Sequence, residues 1–391
     1  MHIFSGTPGT RDYQLMKILI TGGGTGGHVS PAVAVITRLR ELSVQDNSPL
    51  DLHYVGSVSG IERRTMKGLG VPYTAIQTGK LRRYLSIQTP VDLLVRLPRG
   101  AFQALNAVHR FKPDVIFSTG GYVCVPTVIA GWLLRVPALT HEQTALVGLA
   151  NRIAGRFARR VAVSYAQSMR YFPAGKVVLT GNPIRPSLLE GSAARGASRF
   201  GFDPAVPTVY VTGGAQGSHA VNMAVEAALP DMLGICQVIH QCGEGPDGSG
   251  ADLNSLQAAS DALPPHLRER YRVQAFVGDE IADVYALARL VVGRAGAGTV
   301  NELANLGKPS ILVPLPGAKE QAANAHALEG EGASITIVQE ELTPQSLTAA
   351  VTDLITQPEK LAGMGQAAHR LSTEGAADRI IAELMQLAKA S

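Results

Sequence analysis

The sequence predicts an α/β protein with two doubly wound, Rossmann-like domains in tandem. Its 391 residues exceed the usual size of a single domain, which is roughly 100–200 residues. Short apolar runs alternate with helical periodicity along the chain, a pattern typical of parallel sheets covered by helices. In addition, the first strand pattern of each half ends in a glycine-rich turn, at residues 22–27 and 213–218.

The first half opens with the apolar run 18–20, followed by a cluster of six residues in which only Thr25 is not glycine. A helical pattern follows over residues 33–42, and Pro31 marks a position where that helix could begin. A glycine loop that opens a helix presents bare N–H groups and the positive end of the helix dipole to an anion. Gly22, Gly24 and Gly27 also match the dinucleotide fingerprint G-x-G-x-x-G.

The residues that follow the next predicted strands indicate a ligand site that is not a dinucleotide site. Strand 52–55 runs into residues 56–59, which lack the Asp or Glu that binds the ribose of NAD or FAD. Further strands are predicted at residues 114–118, 137–140 and 177–179. Polar or glycine residues follow two of these strands, namely Gly120, Gly121, Tyr122, His141 and Glu142. Because ligands of open α/β sheets bind at the carboxyl ends of strands, these residues are candidates for the acceptor side of a site.

The second half repeats the arrangement. Residues 183–206 are rich in Pro, Gly, Ser and Ala and are predicted to be a linker between domains 16–182 and 207–373. The strands of the second domain are expected at residues 209–211, 237–240, 273–276, 290–292, 310–313 and 335–338. Residues 248–255 are predicted to be a surface loop, and residues 376–389 an amphipathic helix. We expect residues 1–15 to be a disordered extension.

Charge is distributed unevenly along the chain. Residues 1–200 hold 24 Lys and Arg against 9 Asp and Glu, a net charge of +15, whereas residues 201–391 carry −11. The basic half therefore suits a polyanion or an anionic membrane, although a solvated basic surface would explain the count equally well. Within residues 78–99, basic and apolar side chains interleave as in a membrane-interface patch, or as in an ordinary amphipathic helix.

Composition excludes several other classes of protein. Three cysteines match no metal-ligand spacing and fit a reducing cytosol. We expect neither a signal peptide nor a spanning helix, since the most apolar run, residues 123–134, is too short.

Individual residues suggest how substrates could be bound and which group could act as a base. The chain contains no Asp-x-Asp motif, so we predict no metal site, and a leaving diphosphate would be stabilised by amides, helix dipoles and Arg294. Glu302 could accept both hydrogen bonds of a ribose diol, or simply favour the start of its helix. His28 could act as general base on an attacking hydroxyl, or only position a ligand.

Six motifs in order resemble the MurG family of glycosyltransferases. They are the segments at residues 22–32, 120–122, 141–143, 181–185, 213–222 and 294–302. The resemblance implies a GT-B fold of the glycogen-phosphorylase type, in which two domains face each other across a cleft and the last helix, residues 374–391, packs back on the first domain. It implies inverting transfer of GlcNAc from UDP-GlcNAc to the C4 hydroxyl of undecaprenyl-pyrophosphoryl-MurNAc-pentapeptide, a lipid precursor of peptidoglycan.

The resemblance also implies a set of substrate contacts. Glu302 would hold the ribose and Gln321 the hydroxyls of the sugar. The full set of implied donor or substrate contacts is Thr25, Gly26, Gly27, Thr144, Arg185, Ala215, Gln216, Val277, Arg294, Ala297, Gly298, Thr299, Val300, Asn301, Glu302 and Gln321. No tightly bound cofactor and no nucleic acid partner are implied. The enzyme would work at the cytoplasmic membrane face, with residues 80–99 and Trp132 as the membrane contact.

Three departures from the family pattern concern this site. Thr144 stands where the family usually has Asn, and Ala215 stands where it has Ser. The segment 317–320 is one residue short, which makes the assignment of Gln321 weaker than that of Glu302. Other readings stay open at this stage: a GT-B enzyme with another lipid or small acceptor, a UDP-GlcNAc 2-epimerase of related fold, or a UDP-sugar-binding protein without turnover.

Overall fold

The computed structural model describes residues 15–24, 26–78, 97–245, 248–373 and 375–390. The chain divides into two compact units, one of Met1–Arg185 with Thr373–Ser391 and one of Pro186–Ser372. Each unit is built on a parallel β-sheet, which confirms the predicted class of two Rossmann-like α/β domains. None of the helices in the described ranges combines the length and apolar character needed to cross a bilayer.

The sheet of the first unit has the order β3-β2-β1-β4-β5-β6-β7. Its strands are β1 (Met16–Thr21), β2 (Leu50–Ser57), β3 (Tyr73–Ile76), β4 (Val115–Ser118), β5 (Ala138–Glu142), β6 (Arg160–Val163) and β7 (Val177–Leu179). Its helices up to the boundary are α1 (Gly26–Gln45), α2 (Ile61–Gly68), α3 (Leu97–Phe111), α4 (Cys124–Leu133) and α5 (Leu149–Phe157), with a 3₁₀ helix at Ala166–Tyr171.

Strand β1 shows why this sheet is covered on both faces. Ile18 and Ile20 pack in one core cluster with residues of α1, whereas Leu19 packs in the other with residues of α3 and α4. All three side chains are fully buried. A strand that is apolar at successive positions is therefore buried on both faces, as is typical of parallel sheets.

The sheet of the second unit has the order β10-β9-β8-β11-β12-β13. Its strands are β8 (Thr208–Thr212), β9 (Gln237–Gln241), β10 (Tyr271–Gln274), β11 (Ala288–Gly293), β12 (Ser310–Leu312) and β13 (Ser334–Thr336). Its helices are α6 (Ala193–Phe200), α7 (His219–Ile235), α8 (Ala251–Asp261), α9 (Pro265–Arg268), α10 (Ile281–Leu287), α11 (Ala297–Asn305), α12 (Lys319–Gly330), α13 (Pro344–Ile355) and α14 (Pro358–Arg370), with 3₁₀ helices at Pro186–Glu190 and Gln339–Glu341.

The C-terminal helix α15 (Ala376–Lys389) belongs to the first unit. Its apolar face, with Ile380 and Leu384 fully buried, packs in the same core cluster as α1. Two ion pairs flank this contact, Arg38–Asp378 at 2.7 Å and Arg160–Glu383 at 3.3 Å. The predicted bounds of this helix, residues 376–389, coincide with those observed.

Two segments predicted to be irregular contain helices. Residues 183–206 hold a 3₁₀ helix and α6, which contacts α10 within the second unit and is capped by the Ser192 hydroxyl at one end and by left-handed Gly201 at the other. Residues 248–255, predicted as a loop, include the start of α8. Asp252, in the first turn of α8, accepts a hydrogen bond from the Asn222 amide at 2.7 Å and lies 2.8 Å from the His219 ring nitrogen. These tertiary bonds hold the start of a helix that the composition of residues 248–255 did not predict.

Two predicted element positions were also wrong. Helix α1 begins at Gly26, five residues before Pro31, so the proline lies inside the helix. Strand β10 covers Tyr271–Gln274, not residues 273–276, because its register with β9 pairs Tyr271 with Val238. The membrane segment predicted at residues 80–99 lies mostly outside the described residues, as do Thr25 and residues 1–14.

Candidate active site

Two glycine turns meet at the centre of the first sheet. In this sheet β1 and β4 are neighbours although they are not consecutive, so the strand order reverses between them. Such a switch point opens a crevice at the carboxyl ends of the strands, where ligands of α/β proteins bind. The Gly23 N–H donates to the Gly120 carbonyl at 3.3 Å, and a Cβ on Gly121 would overlap the Gly23 carbonyl. Glycine is therefore required for this close approach of the two turns.

His28 lies in the first turn of α1, beside this crevice, and is half-buried. Its Nδ1 lies 3.0 Å from the Thr119 carbonyl and 3.0 Å from Gln143 Oε1. Both neighbours are acceptors, since the Gln143 amide nitrogen is itself directed at the Thr119 carbonyl at 2.6 Å. The geometry therefore assigns a proton to Nδ1, and in the neutral ring Nε2 carries the lone pair that can accept a proton.

His141 lies in the protein interior next to Gln143 and helps to hold its side chain in place. The ring is fully buried, and its Nε2 donates to the Gly181 carbonyl at 3.0 Å. Its Nδ1 faces the Gln143 amide nitrogen at 3.1 Å. Loss of hydration lowers the pKa of His141 to about 4, so the ring is neutral at pH 7. His141, predicted as an acceptor-side residue, thus lies beneath the surface and holds Gln143.

Glu142 is also buried, and its carboxylate organises the turn that follows β5. It accepts hydrogen bonds from the Thr144 N–H at 3.0 Å, the Thr144 hydroxyl at 2.6 Å, the Gly148 N–H at 3.2 Å and the Asn151 amide at 3.0 Å. The Thr144 side chain is therefore tied to Glu142. The Asn151 amide in turn closes one side of Gly120, where a Cβ would lie 2.8 Å from it.

The second unit has an equivalent switch point between β8 and β11. The turn after β8 leads into α7, whose N-cap is Ser218, and it exposes Ala215 and Gln216. The turn after β11 leads into α11, so Ala297, Gly298 and Thr299 form its first turn and are partly exposed. Two helix N-termini thus begin at neighbouring strand ends, which is the arrangement that binds phosphate groups.

Within α11, the predicted contact residues differ in what they can reach. Val300 and Asn301 are buried, and the Asn301 amide donates to the Ala297 carbonyl at 2.6 Å, so their side chains serve the packing of the helix. Glu302 is partly exposed, and its Oε2 accepts a hydrogen bond from the Tyr285 hydroxyl at 2.9 Å. Tyr285 itself packs edge-on against Tyr210 of β8, with ring centroids 5.5 Å apart.

Gln241 joins two parts of the same strand-end region. Its amide nitrogen lies 3.1 Å from the Gly214 carbonyl, and its Oε1 accepts the Val277 N–H at 2.9 Å. The Val277 N–H is therefore directed into the protein, and its side chain is buried. Val277 can therefore contact a ligand only through its backbone carbonyl or Cα.

The remaining predicted residues are placed as follows. The Arg294 guanidinium is partly buried, which lowers its pKa, and it binds the Val313 carbonyl at 3.0 Å and Gln339 Oε1 at 2.6 Å. Gln321, in the first turn of α12, accepts the Leu315 N–H at 3.0 Å. Arg185 is the last residue of the first unit, and Gly26 and Gly27 begin α1. Across the described parts of the chain, no group of three or more His, Cys, Asp or Glu residues could hold a metal ion.

Sequence reasoning missed four residues that organise these strand ends. Gln143 was quoted only as part of a motif, and Gln241, Tyr285 and Glu62 were not selected at all. Each forms hydrogen bonds to residues distant in the chain, and a single sequence gives no sign of such bonds. None of the four carried a local signal, and Glu62 stands beyond residues 56–59, which follow the predicted strand.

Comparisons with known proteins define the class first. Residues 18–163 match the glycosyltransferase family 28 N-terminal domain, and residues 208–380 match the glycosyltransferase family 28 C-terminal domain. Together these matches include most of the two sheets and the strand-end residues described above. The chain is therefore a family 28 glycosyltransferase with the GT-B fold.

Individual relatives narrow the class. The chain is 36% identical over 343 residues to the UDP-N-acetylglucosamine–N-acetylmuramyl-(pentapeptide) pyrophosphoryl-undecaprenol N-acetylglucosamine transferase of Lachnospira eligens, covering 87% of this chain and 91% of that protein. It is 34% identical to the enzyme of the same name from Legionella pneumophila, covering 95% and 97%. The crystal structure of Acinetobacter baumannii MurG superposes with a TM-score of 0.70 at 28% identity, covering 95% of this chain and 99% of that one. The chain belongs to the MurG family.

Proposed function

We propose that the protein transfers GlcNAc from UDP-GlcNAc to the C4 hydroxyl of undecaprenyl-pyrophosphoryl-MurNAc-pentapeptide. The observation that carries this proposal is that each sheet brings two glycine-containing turns and a helix N-terminus to its own switch point. Each unit can therefore hold one phosphate-bearing substrate. Relatives that carry this activity in their names match this chain over both units.

On the acceptor side, the turns after β1 and β4 would receive the pyrophosphate of the lipid. The amides at the start of α1, at Gly26 and Gly27, and the Gly120–Gly121 turn are suited to its charge. Tyr122 follows in the same turn and is half-buried beside Gly24. Glu142 and His141 act by holding this scaffold, because both are buried and hydrogen-bonded within the protein.

On the donor side, the UDP moiety would lie across the N-termini of α7 and α11. Ala215 and Gln216 supply exposed backbone at the first helix, and Ala297 to Thr299 supply it at the second. Glu302 would accept the ribose hydroxyls from the position in which Tyr285 holds it. Gln321, Arg185 and Thr25 complete the proposed donor contacts, and Thr144 those of the first unit. UDP-GlcNAc is a substrate, and no tightly bound cofactor enters the proposal.

His28 would supply the general base. Its Nε2 takes the proton of the C4 hydroxyl while that oxygen attacks C1 of GlcNAc. The bond from C1 to the diphosphate oxygen breaks, and UDP leaves with the electron pair. Attack from the face opposite the leaving group inverts the anomeric configuration. The Thr119 carbonyl and Gln143 keep the proton on Nδ1, which is the tautomer this role requires.

Two features of the first unit support work at an anionic membrane surface on its cytoplasmic side. An apolar cavity of about 770 Å³ lies between α3, α4 and α5, and Phe102 and Leu133 at its border are 71% and 58% exposed. A second cavity, beside Trp132, is lined by the four cations Arg135, Arg156, Arg159 and Lys176. Exposed apolar groups beside cations suit a peripheral contact with anionic lipid. The polyprenyl chain of the acceptor would then stay in the membrane.

One assay tests the reaction. The full-length protein is incubated with radiolabelled UDP-GlcNAc and a lipid-linked MurNAc-pentapeptide pyrophosphate, and the products are separated by chromatography. We expect a lipid-linked disaccharide with a β-linkage, as read by NMR. Consumption of UDP-GlcNAc without any acceptor would instead indicate an epimerase or hydrolase. Equal transfer to unrelated acceptors, such as diacylglycerol, would indicate a different GT-B activity.

A vesicle assay tests the membrane contact. We expect the protein to sediment with vesicles that contain anionic phospholipid and to remain in solution with neutral ones. The variant Arg135→Glu/Arg156→Glu should lose this binding. Arg268→Glu, at an exposed position of the second unit, is the control and should retain it. Equal binding of all three proteins would refute a specific role for the basic cavity.

A further inference from the structure

A buried carboxylate lies directly beneath the first glycine turn. Glu62 occupies the first turn of α2, and its side chain is completely inaccessible to solvent. Its Oε1 accepts the Ser57 N–H at 3.0 Å and the Ser57 hydroxyl at 2.6 Å. Its Oε2 accepts the Gly24 N–H at 3.4 Å, a long hydrogen bond. The carboxylate therefore joins the end of β2 to the turn after β1.

A carboxylate in the first turn of α2 is favoured by the helix dipole, but the complete burial of Glu62 sets a cost against that gain. Burying a carboxylate is unfavourable unless hydrogen bonds or a cation compensate. Among the residues that the structure describes, no Lys, Arg or His forms an ion pair with Glu62, so the compensation comes from the three hydrogen bonds above. An apolar side chain in this space would leave the buried Ser57 N–H without its acceptor. The carboxylate therefore serves the end of β2 and, through its bond to Gly24, the first glycine turn.

The turn is shaped to rest on this carboxylate. A Cβ on Gly23 would lie 2.5 Å from Glu62 Cδ, and a Cβ on Gly24 would lie 2.7 Å from the Tyr122 ring. Residues 23 and 24 are thus held between the carboxylate and the ring. Both have positive φ, 144° and 90°, a backbone conformation that glycine adopts readily and that other residues rarely adopt. Burial, and next the nearby Glu62, raise the pKa of the Tyr122 hydroxyl.

We propose that Glu62 is a positioning residue that orients the first glycine turn for the pyrophosphate group of the acceptor. This inference rests on the proposed function. By accepting the Gly24 N–H, Glu62 fixes the peptide between Gly23 and Gly24, close to the start of α1. His28 lies in the first turn of α1, so the position of its ring beside the Thr119 carbonyl depends on the same glycine turn.

Positioning and simple electrostatics predict opposite results for this residue. A negative charge beneath a phosphate-binding turn repels the ligand, so removing that charge should tighten binding if only Coulomb forces mattered. If Glu62 positions the turn, removing its acceptor should weaken binding. Glu62→Gln separates the two accounts, because its amide oxygen can keep the bonds to Ser57 while its NH₂ group meets the Gly24 N–H donor to donor.

The experiment compares Glu62→Gln with Ser57→Ala, which removes a hydrogen bond of the same carboxylate and one to the Tyr122 hydroxyl but leaves the bond to Gly24 in place. For each full-length protein we would measure KM for a short-chain lipid-linked acceptor, KM for UDP-GlcNAc, and Tm. Binding of a short prenyl pyrophosphate by calorimetry gives a readout independent of turnover. We expect Glu62→Gln to weaken acceptor and prenyl pyrophosphate binding about tenfold, with the donor KM unchanged and Ser57→Ala within twofold of wild type.

Three results would overturn the inference: unchanged or tighter pyrophosphate binding in Glu62→Gln, equal losses in both variants, or a loss of donor affinity equal to that of acceptor affinity. If Glu62→Gln fails to fold, Glu62→Asp serves instead. It keeps the charge but withdraws it from Gly24, and it too should weaken pyrophosphate binding. A wild-type protein that binds prenyl pyrophosphate but forms no disaccharide would contradict the proposed function and leave the role of Glu62 measurable.

Discussion

Replacing His28 by asparagine isolates the role of one ring nitrogen. The amide nitrogen of asparagine can occupy the place of Nδ1 and keep the bonds to the Thr119 carbonyl and Gln143 Oε1, both 3.0 Å from Nδ1 in the wild type. It has nothing in the place of Nε2. The variant should therefore preserve the two glycine turns and remove only the proton acceptor.

The size of the effect follows from the role of a general base. Such a group contributes typically 10²- to 10⁴-fold to the rate. Because each factor of ten corresponds to about 1.4 kcal/mol, the barrier should rise by about 2.8–5.6 kcal/mol. We expect kcat of His28→Asn to fall by at least a hundredfold, while the donor KM stays within threefold of wild type.

The assay measures initial rates at saturating UDP-GlcNAc and acceptor, with calorimetry of UDP binding as a check on folding. His266→Asn is the control, since His266 is exposed in α9, which precedes β10 and is not among the strand ends assigned to the substrates. That control should keep wild-type turnover. If His28→Asn retains more than a tenth of the wild-type kcat, His28 is not the base and the tautomer argument fails.

Three further predictions concern the second unit and the buried histidines. Tyr285→Phe removes the 2.9 Å hydrogen bond to Glu302 and should raise the KM for UDP-GlcNAc about tenfold with little change in kcat; equal KM values would contradict the bond's role. Glu302→Ala should weaken UDP binding in calorimetry, and the Tyr285→Phe effect should vanish in that background, whereas additive effects would show that the two residues act separately. Burial lowers the pKa of His141 from 6.5 to about 4 and that of His240 from 6.5 to about 3. As the pH falls below 6.5, both rings become protonated in the unfolded chain before they do in the folded protein, so the folded state loses stability. Each should cost about 2 kcal/mol by pH 5. Urea unfolding at pH 7.5 and 5.0 measures the loss, which should be smaller in His240→Asn, and an unchanged wild-type midpoint would contradict it.

The repeated architecture could be predicted because its signals are local. The glycine cluster after β1 and the turn after β8 both precede helices, and the apolar spacing of residues 376–389 defines α15 without any tertiary information. The missing carboxylate after β2 correctly turned the interpretation away from dinucleotides. The strands β3 and β6 were not predicted. β3 lies at the edge of the sheet, where only Ile76 of its four residues is buried, so it carries no continuous apolar run.

The site was less predictable than the fold, because its hydrogen bonds connect distant segments. Motif matching selected all of α11 from Ala297 to Glu302, yet Val300 and Asn301 face the interior as helical periodicity requires. Gln143 became important only when Thr119 and His28 were seen beside it. The segment 183–206 had the composition of a linker, but Ser192 and Gly201 cap a real helix within it.

The central claim is that the protein binds two phosphate-bearing substrates and transfers a sugar from one to the other. The most direct test is the transfer assay with purified full-length protein, labelled UDP-GlcNAc and a lipid-linked MurNAc-pentapeptide pyrophosphate. The account predicts a labelled, β-linked lipid disaccharide that forms only when both substrates are present and that falls at least a hundredfold in His28→Asn. Absence of that product in wild type, with UDP still bound, would contradict it.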